Sequence, residues 1–138
     1  MSDQELLSIK VPPHSIEAEQ SVLGGLLLDN TAWDRVADFI SESDLYRPDH
    51  KIIYQHISRL IGSNKPADAI TVAESLENTK ELEQVGGLSY LGALAQNTPS
   101  VANIRRYAEI VRERSILRKL ADTAATIADT AYNPMGQE

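Results

Sequence analysis

Apolar positions recur three and four residues apart through most of the 138-residue chain, the spacing of one buried helix face. Ile16, Leu23, Leu26 and Leu27 mark a first helix to about Asp29. It is entered from an extended Val11-Pro12-Pro13 stretch, because each proline disfavours helix in the residue before it. His14 or Ser15 caps it, and Glu17 and Glu19 complement the dipole of its first turn. Gly24-Gly25 costs about 1 kcal/mol per glycine against alanine inside a helix, so a neighbouring helix is expected to approach closely there. Trp33, Val36, Ala37 and Ile40 predict a second, short helix capped by Asn30. Arg47-Pro48 opens a third, with proline at its first position; Ile53, Ile57, Leu60 and Ile61 are its apolar members and Gly62 its stop. Thr71-Val72-Ala73-Glu74 reads as the capping box of a fourth helix ending near Asn78. The turn Val85-Gly86-Gly87 leads into a fifth with Leu88, Leu91, Leu94 and Ala95, ended by Asn97-Thr98-Pro99. No period-two run lies between turn signals, so no strand is predicted.

The last segment differs. No proline or glycine interrupts residues 103–131, and a helix of that length spans about 43 Å. A compact head of about 100 residues is roughly 34 Å across, so this helix overshoots the head or lies along its full width. Ile104, Tyr107, Ala108 and Val111 fall on one face and anchor it to the head. Leu117, Leu120, Ala124, Ile127 and Ala131 lie on roughly the opposite face, spaced like a helix–helix seam. Asn133-Pro134-Met135-Gly136 reads as a turn. The expected fold is all-α: a compact multi-helix head followed by one long C-terminal helix. A polar, disordered tail covers residues 1–10, the head covers 11–100, and the long helix with the start of a turn covers 101–138. The second stripe calls for a cover, supplied by another subunit or by further chain.

Composition narrows the chemistry. With 42% hydrophobic and 24% charged residues the chain is globular. It has no cysteine, which excludes disulfides, thiolate zinc sites and cysteine nucleophiles. The longest apolar run, Val22 to Leu28, is far below the ~20 residues of a membrane helix. The N-terminus lacks a secretory pattern, so a cytoplasmic location with no membrane partner is expected. The net charge of −7 argues against coating nucleic acid over the whole surface, and few aromatic residues argue against a base-stacking platform.

That charge is unevenly spread. Arg105, Arg106, Arg112, Arg114, Arg118 and Lys119 give residues 105–119 a net +4 despite Glu109 and Glu113, whereas residues 1–104 carry −8 and 120–138 carry −3. Arg105, Arg112, Arg114 and Arg118 form a possible charged interface to an acidic protein partner or, as the alternative reading, a nucleic-acid stripe. The plainer account is a solvated face with ion pairs such as Arg105–Glu109 and Glu109–Arg112, with bridges to the acidic head of another subunit as a variant. No phosphate loop followed by Lys and Ser/Thr occurs, which excludes P-loop ATP hydrolysis in these residues. His14 is read as a cap or surface residue, and His50 and His56 simply as members of the third helix. No catalytic, cofactor-binding or metal residue is assigned.

The string VPPHSIEAEQSVLGGLLLD at 11–29 resembles the start of the N-terminal domain of bacterial DnaB-type replicative DNA helicases. The likeness continues through ITVAESLE at 70–77, VGGLSYLGALAQNTPS at 85–100 and ANIRRYAEIVRERSILRKL at 102–120. The resemblance implies a helical head followed by a helical hairpin, of which the long helix would be the first arm. It further implies pairing into a trimer of dimers above a ring of ATPase domains, within an ATP-driven hexamer moving five-prime to three-prime on the strand it encircles. The primase DnaG would dock on this collar through its C-terminal helicase-binding domain. ATP and magnesium would belong to the ATPase domain, which is absent here together with the hairpin's second arm. The implied role is non-catalytic assembly and primase docking, with Leu117, Leu120 and Ile127 at a subunit or primase interface. A helicase loader or phage protein is a further possible partner, and DNA contact by this segment is not expected. The alternative is a free-standing helical nucleic-acid-binding domain using residues 105–119.

Overall fold

The first helix, α1 (Ile16–Leu28), is apolar nearly all round, and it forms the centre of the structure. The computed structural model describes residues 11–137; the tail expected at 1–10 lies outside the described residues. Around α1 are α2 (Trp33–Val36), α3 (Pro48–Gly62), α4 (Ala69–Asn78), α5 (Gly87–Gln96) and α6 (Ile104–Tyr132). The fold is all-α, with no strand among the described residues. Val22, Leu23 and Leu26 of α1 are fully buried, as are Ile53 and Ile57 of α3, Leu76 of α4, Leu91 of α5 and Ile104 of α6. Each such side chain contributes about 1.5–3 kcal/mol by leaving water.

The glycine pair has the role its position suggests. A Cβ on Gly24 would sit 2.1 Å from the Leu94 carbonyl oxygen and 1.9 Å from Thr98 Oγ1. One on Gly25 would sit 2.8 Å from Ile104 Cδ1. α5 therefore crosses α1 at backbone distance at Gly24, whereas at Gly25 it is the Ile104 side chain of α6 that packs directly on the α1 backbone. The Gly86-Gly87 turn also needs glycine, since φ is +102° and +74° there.

Ser15 caps α1, accepting from the Ala18 N–H at 3.2 Å, and Pro48 opens α3 at its first turn. Two caps fall elsewhere than the local pattern suggests. Asp29, not Asn30, caps the 3₁₀ turn Asn30–Ala32 that leads into α2, accepting from Thr31 N–H at 3.0 Å. Asn30 reaches across the fold, donating to the Ala67 carbonyl at 3.0 Å and accepting from its N–H at 2.9 Å. The capping box of α4 is Asp68 with Thr71, so Thr71 is the third helical residue and not the cap.

Candidate functional site

The long helix α6 runs 29 residues from Ile104 to Tyr132, and three successive stretches of it meet different surroundings. In the first, Ile104, Ala108 and Val111 are buried against α1 and Tyr107 is half-buried. In the last, Leu120 and Ile127 are each 64% exposed, Leu117 is 44% exposed, and Ala124 and Ala131 are exposed as well. An apolar row on one helix face, open to water through more than three turns, has the geometry of a surface for a second helix.

Between the two stretches, side chains from successive turns of α6 converge on Asp44, at the end of the 3₁₀ turn Glu42–Asp44. Ser115 Oγ donates to Asp44 Oδ1 at 2.7 Å. Arg112 Nη1 and Lys119 Nζ lie 3.5 and 3.9 Å from the same oxygen. Arg118 donates to the Asp44 carbonyl at 2.5 Å and to the Pro13 carbonyl at 2.7 Å, with its guanidinium 5.4 Å from the Tyr46 ring centroid. Tyr46 in turn stacks on His14, centroids 4.3 Å apart. Asp44 is itself anchored by the Ser41 N–H at 2.8 Å. Burial pushes its carboxyl pKa up, but the Ser115 and Ser41 hydrogen bonds and the Arg112 and Lys119 charges outweigh this and hold it below the ordinary range.

The basic cluster is thus divided. Arg105 pairs with Glu109 at 3.8 Å and lies 5.0 Å from the Phe39 ring centroid. Glu109 takes Arg106 as its other partner, at 3.3 Å, while Arg112 turns to Asp44 instead of Glu109. Arg114 is half-buried. Arg112, Arg118 and Lys119 therefore hold this chain's own head, where sequence reasoning placed local pairs or bridges between subunits. Beside them, Val11, Pro13, Tyr46, Arg118 and Ala121 line a largely apolar hollow of about 310 Å³ at the foot of the exposed row.

Two buried histidines have a role that sequence reasoning missed. His50 Nδ1 lies 2.8 Å from Glu19 Oε1, and its Nε2 lies 2.6 Å from Tyr90 Oη. Glu19 also accepts from the Tyr46 N–H at 2.6 Å. His56 sits 2.7 Å from Ser75 Oγ and 3.0 Å from Glu81 Oε1. The second set has the residue types of a hydrolase triad, but the imidazole is sealed between α3 and α4 with no exposed surface. A leaving group could not collect a proton from it, so the network ties helices together. No buried side-chain polar atom lacks a partner among the described residues. No group of His, Asp and Glu there is placed to hold a metal ion, and no helix there is long and apolar enough to cross a membrane.

A family model described as the DnaB-like helicase N terminal domain matches residues 11–113. The chain is 41% identical over 137 residues to the replicative DNA helicase DnaB of Haemophilus influenzae, covering 99% of this chain and 29% of that protein. It is 44% identical over 128 residues to the replicative DNA helicase DnaC of Bacillus subtilis, covering 93% of this chain and 28% of that one. It therefore spans less than a third of the length of these helicases. Among solved structures, the N-terminal domain of DnaB helicase from Mycobacterium tuberculosis superposes with a TM-score of 0.86 at 40% identity, covering 88% of each chain. The N-terminal domain of DnaB helicase from Helicobacter pylori, described with its interactions with primase, gives a TM-score of 0.69 at 25% identity, covering 84% of this chain and 90% of that one.

Proposed function

This chain belongs to the family of DnaB-like helicase N-terminal domains, and on that premise we propose that it is a non-catalytic assembly and primase-docking module of a hexameric, ATP-dependent replicative helicase. The observation that carries this reading is the open row Leu117, Leu120, Ala124, Ile127 and Ala131 on a helix whose root is fixed to the head. A partner helix laid on that row would bury apolar surface that now faces water, at about 25 cal/mol per Å². The partner would be a second subunit or primase, whose interactions are described for the Helicobacter pylori domain. Residues 1–138 contain no phosphate loop, so ATP and magnesium would be bound by other sequence of the helicase. A cytoplasmic setting follows from the same role.

Using the arginine cluster for nucleic acid is the weaker reading, because Arg112 and Arg118 are already engaged by Asp44 and Pro13. Sedimentation of the wild-type chain and of Leu120→Asp across a concentration series, each with and without a primase helicase-binding domain, tests the assignment. Wild-type self-association or primase binding should weaken in the variant, since a charge would enter an apolar contact. Identical mass distributions and identical primase binding would remove the assignment.

A further inference from the structure

The attachment of α6 to the head is of two physically different kinds. Ile104, Ala108 and Val111 hold it by apolar burial along two turns, a contact line of about 10 Å at 1.5 Å per residue. Arg112, Ser115, Arg118 and Lys119 hold it by polar contacts, and all four contact Asp44. From Lys119 to Tyr132 every residue is exposed. A rod held along one short line still rocks about it, and a second point of attachment is what sets its direction.

We propose that Asp44 is a releasable latch: its carboxylate and carbonyl fix the direction of α6 against the head, and freeing them lets the exposed arm swing about the Ile104–Val111 anchor. The turn carrying Asp44 is firmly seated, because Leu45 is fully buried and the Ser41 N–H grips the carboxylate. The helix side is different. Arg112 and Lys119 are 46% and 64% exposed, so their ion pairs are individually weak and open to competition. Only the Ser115 bond is both buried and charge-assisted. An incoming cation could take the carboxylate, and an incoming anion could take Arg112 and Lys119, while the apolar anchor stays closed to either. The latch, with the Arg118–Pro13 contact beside it, is thus a part of the α6 root that a charged partner can undo without unfolding the head.

The lever is long. Val111 to Thr130 spans about 28 Å of helix, so each 10° of swing moves the exposed apolar row by about 5 Å at that point. This inference concerns the chain alone and does not depend on the assembly role.

Because the sequence has no cysteine, nitroxide labels can be placed uniquely, at Glu77→Cys on the exposed surface of α4 and Thr130→Cys near the end of α6. Pulsed electron-spin distance measurements would compare the wild-type chain with Asp44→Asn and with a helix-side variant, Arg112→Gln, Ser115→Ala, Arg118→Gln and Lys119→Gln together. Arg106→Gln with Glu113→Gln, which removes an exposed ion pair lying wholly within α6 and away from Asp44, serves as the control. The latch predicts a distribution broadened or shifted by about 5 Å or more in the folded latch variants, with the control at wild type. The helix-side variant decides the matter if Asp44→Asn fails to fold. An unchanged distribution in it, or an equal broadening in the control, overturns the proposal.

Discussion

Glu19 and His50 meet at 2.8 Å with side chains 2% and 0% exposed, so α1 and α3 are joined by a buried polar contact. The same carboxylate accepts from the Tyr46 N–H, and the same imidazole reaches Tyr90 on α5. Removing one member of such a set strands the others without water. Glu19→Ala should therefore cost about 1–3 kcal/mol for the stranded partners, a sizeable share of a domain's usual 5–15 kcal/mol. Urea unfolding, read as a shift in midpoint at constant slope, measures it.

Two glycines should respond oppositely to alanine. At Gly24 a Cβ meets the Leu94 backbone carbonyl at 2.1 Å, so Gly24→Ala should destabilise by about 1–3 kcal/mol, overpacking outweighing the gain in helix propensity. At Gly92, in the middle of α5, nothing lies within 4 Å. Gly92→Ala should stabilise by about 0.5–1 kcal/mol. Thermal midpoints of the two variants should bracket the wild type.

One substitution on the two faces of α6 should separate docking from exposure. Val111→Asp puts an unpaired carboxylate where the side chain is buried and should abolish cooperative unfolding. Ile127→Asp changes an exposed position and should stay within about 0.5 kcal/mol of wild type. Circular dichroism melts distinguish the outcomes, and a large loss in Ile127→Asp would place that residue in a packed surface.

Acid should loosen the root of α6. The Asp44 carboxyl is more acidic in the folded chain than in the unfolded one. Its contribution to stability is therefore complete above the unfolded value of about 3.9 and is lost as the pH falls through the lower folded value. Asp44→Asn should flatten the stability profile in that acid range while matching the wild-type slope at higher pH. Denaturant midpoints measured from pH 6 downward give both curves.

What could be read from the residues was whatever depends on near neighbours. Ser15, Pro48 and the Gly86-Gly87 turn act within a helical turn of themselves, and the two stripes of α6 are a matter of period. The misplaced caps mark the limit. Asn30 looks like a cap, but its amide is taken by the backbone of Ala67, 37 positions away. His50 looks like any polar member of α3 because Glu19 and Tyr90 lie 31 and 40 positions off. The arginines of α6 had acidic neighbours at three and four residues, and nothing local ranks a buried Asp44 some 70 positions earlier above those. Once the chain closes, a desolvated carboxylate with fixed geometry outcompetes exposed, flexible ones.

The central position of α1 also has a bearing on synthesis. Its apolar residues are complete by Leu28, yet Ile104, Val111 and Ser115 are among the last to close over the head. At about 5–20 residues per second, the 87 residues between Leu28 and Ser115 take roughly 4–17 s to emerge. For that interval a helix with most of its surface apolar has left the ribosome without its final cover. The root of α6 is the segment whose arrival completes that cover.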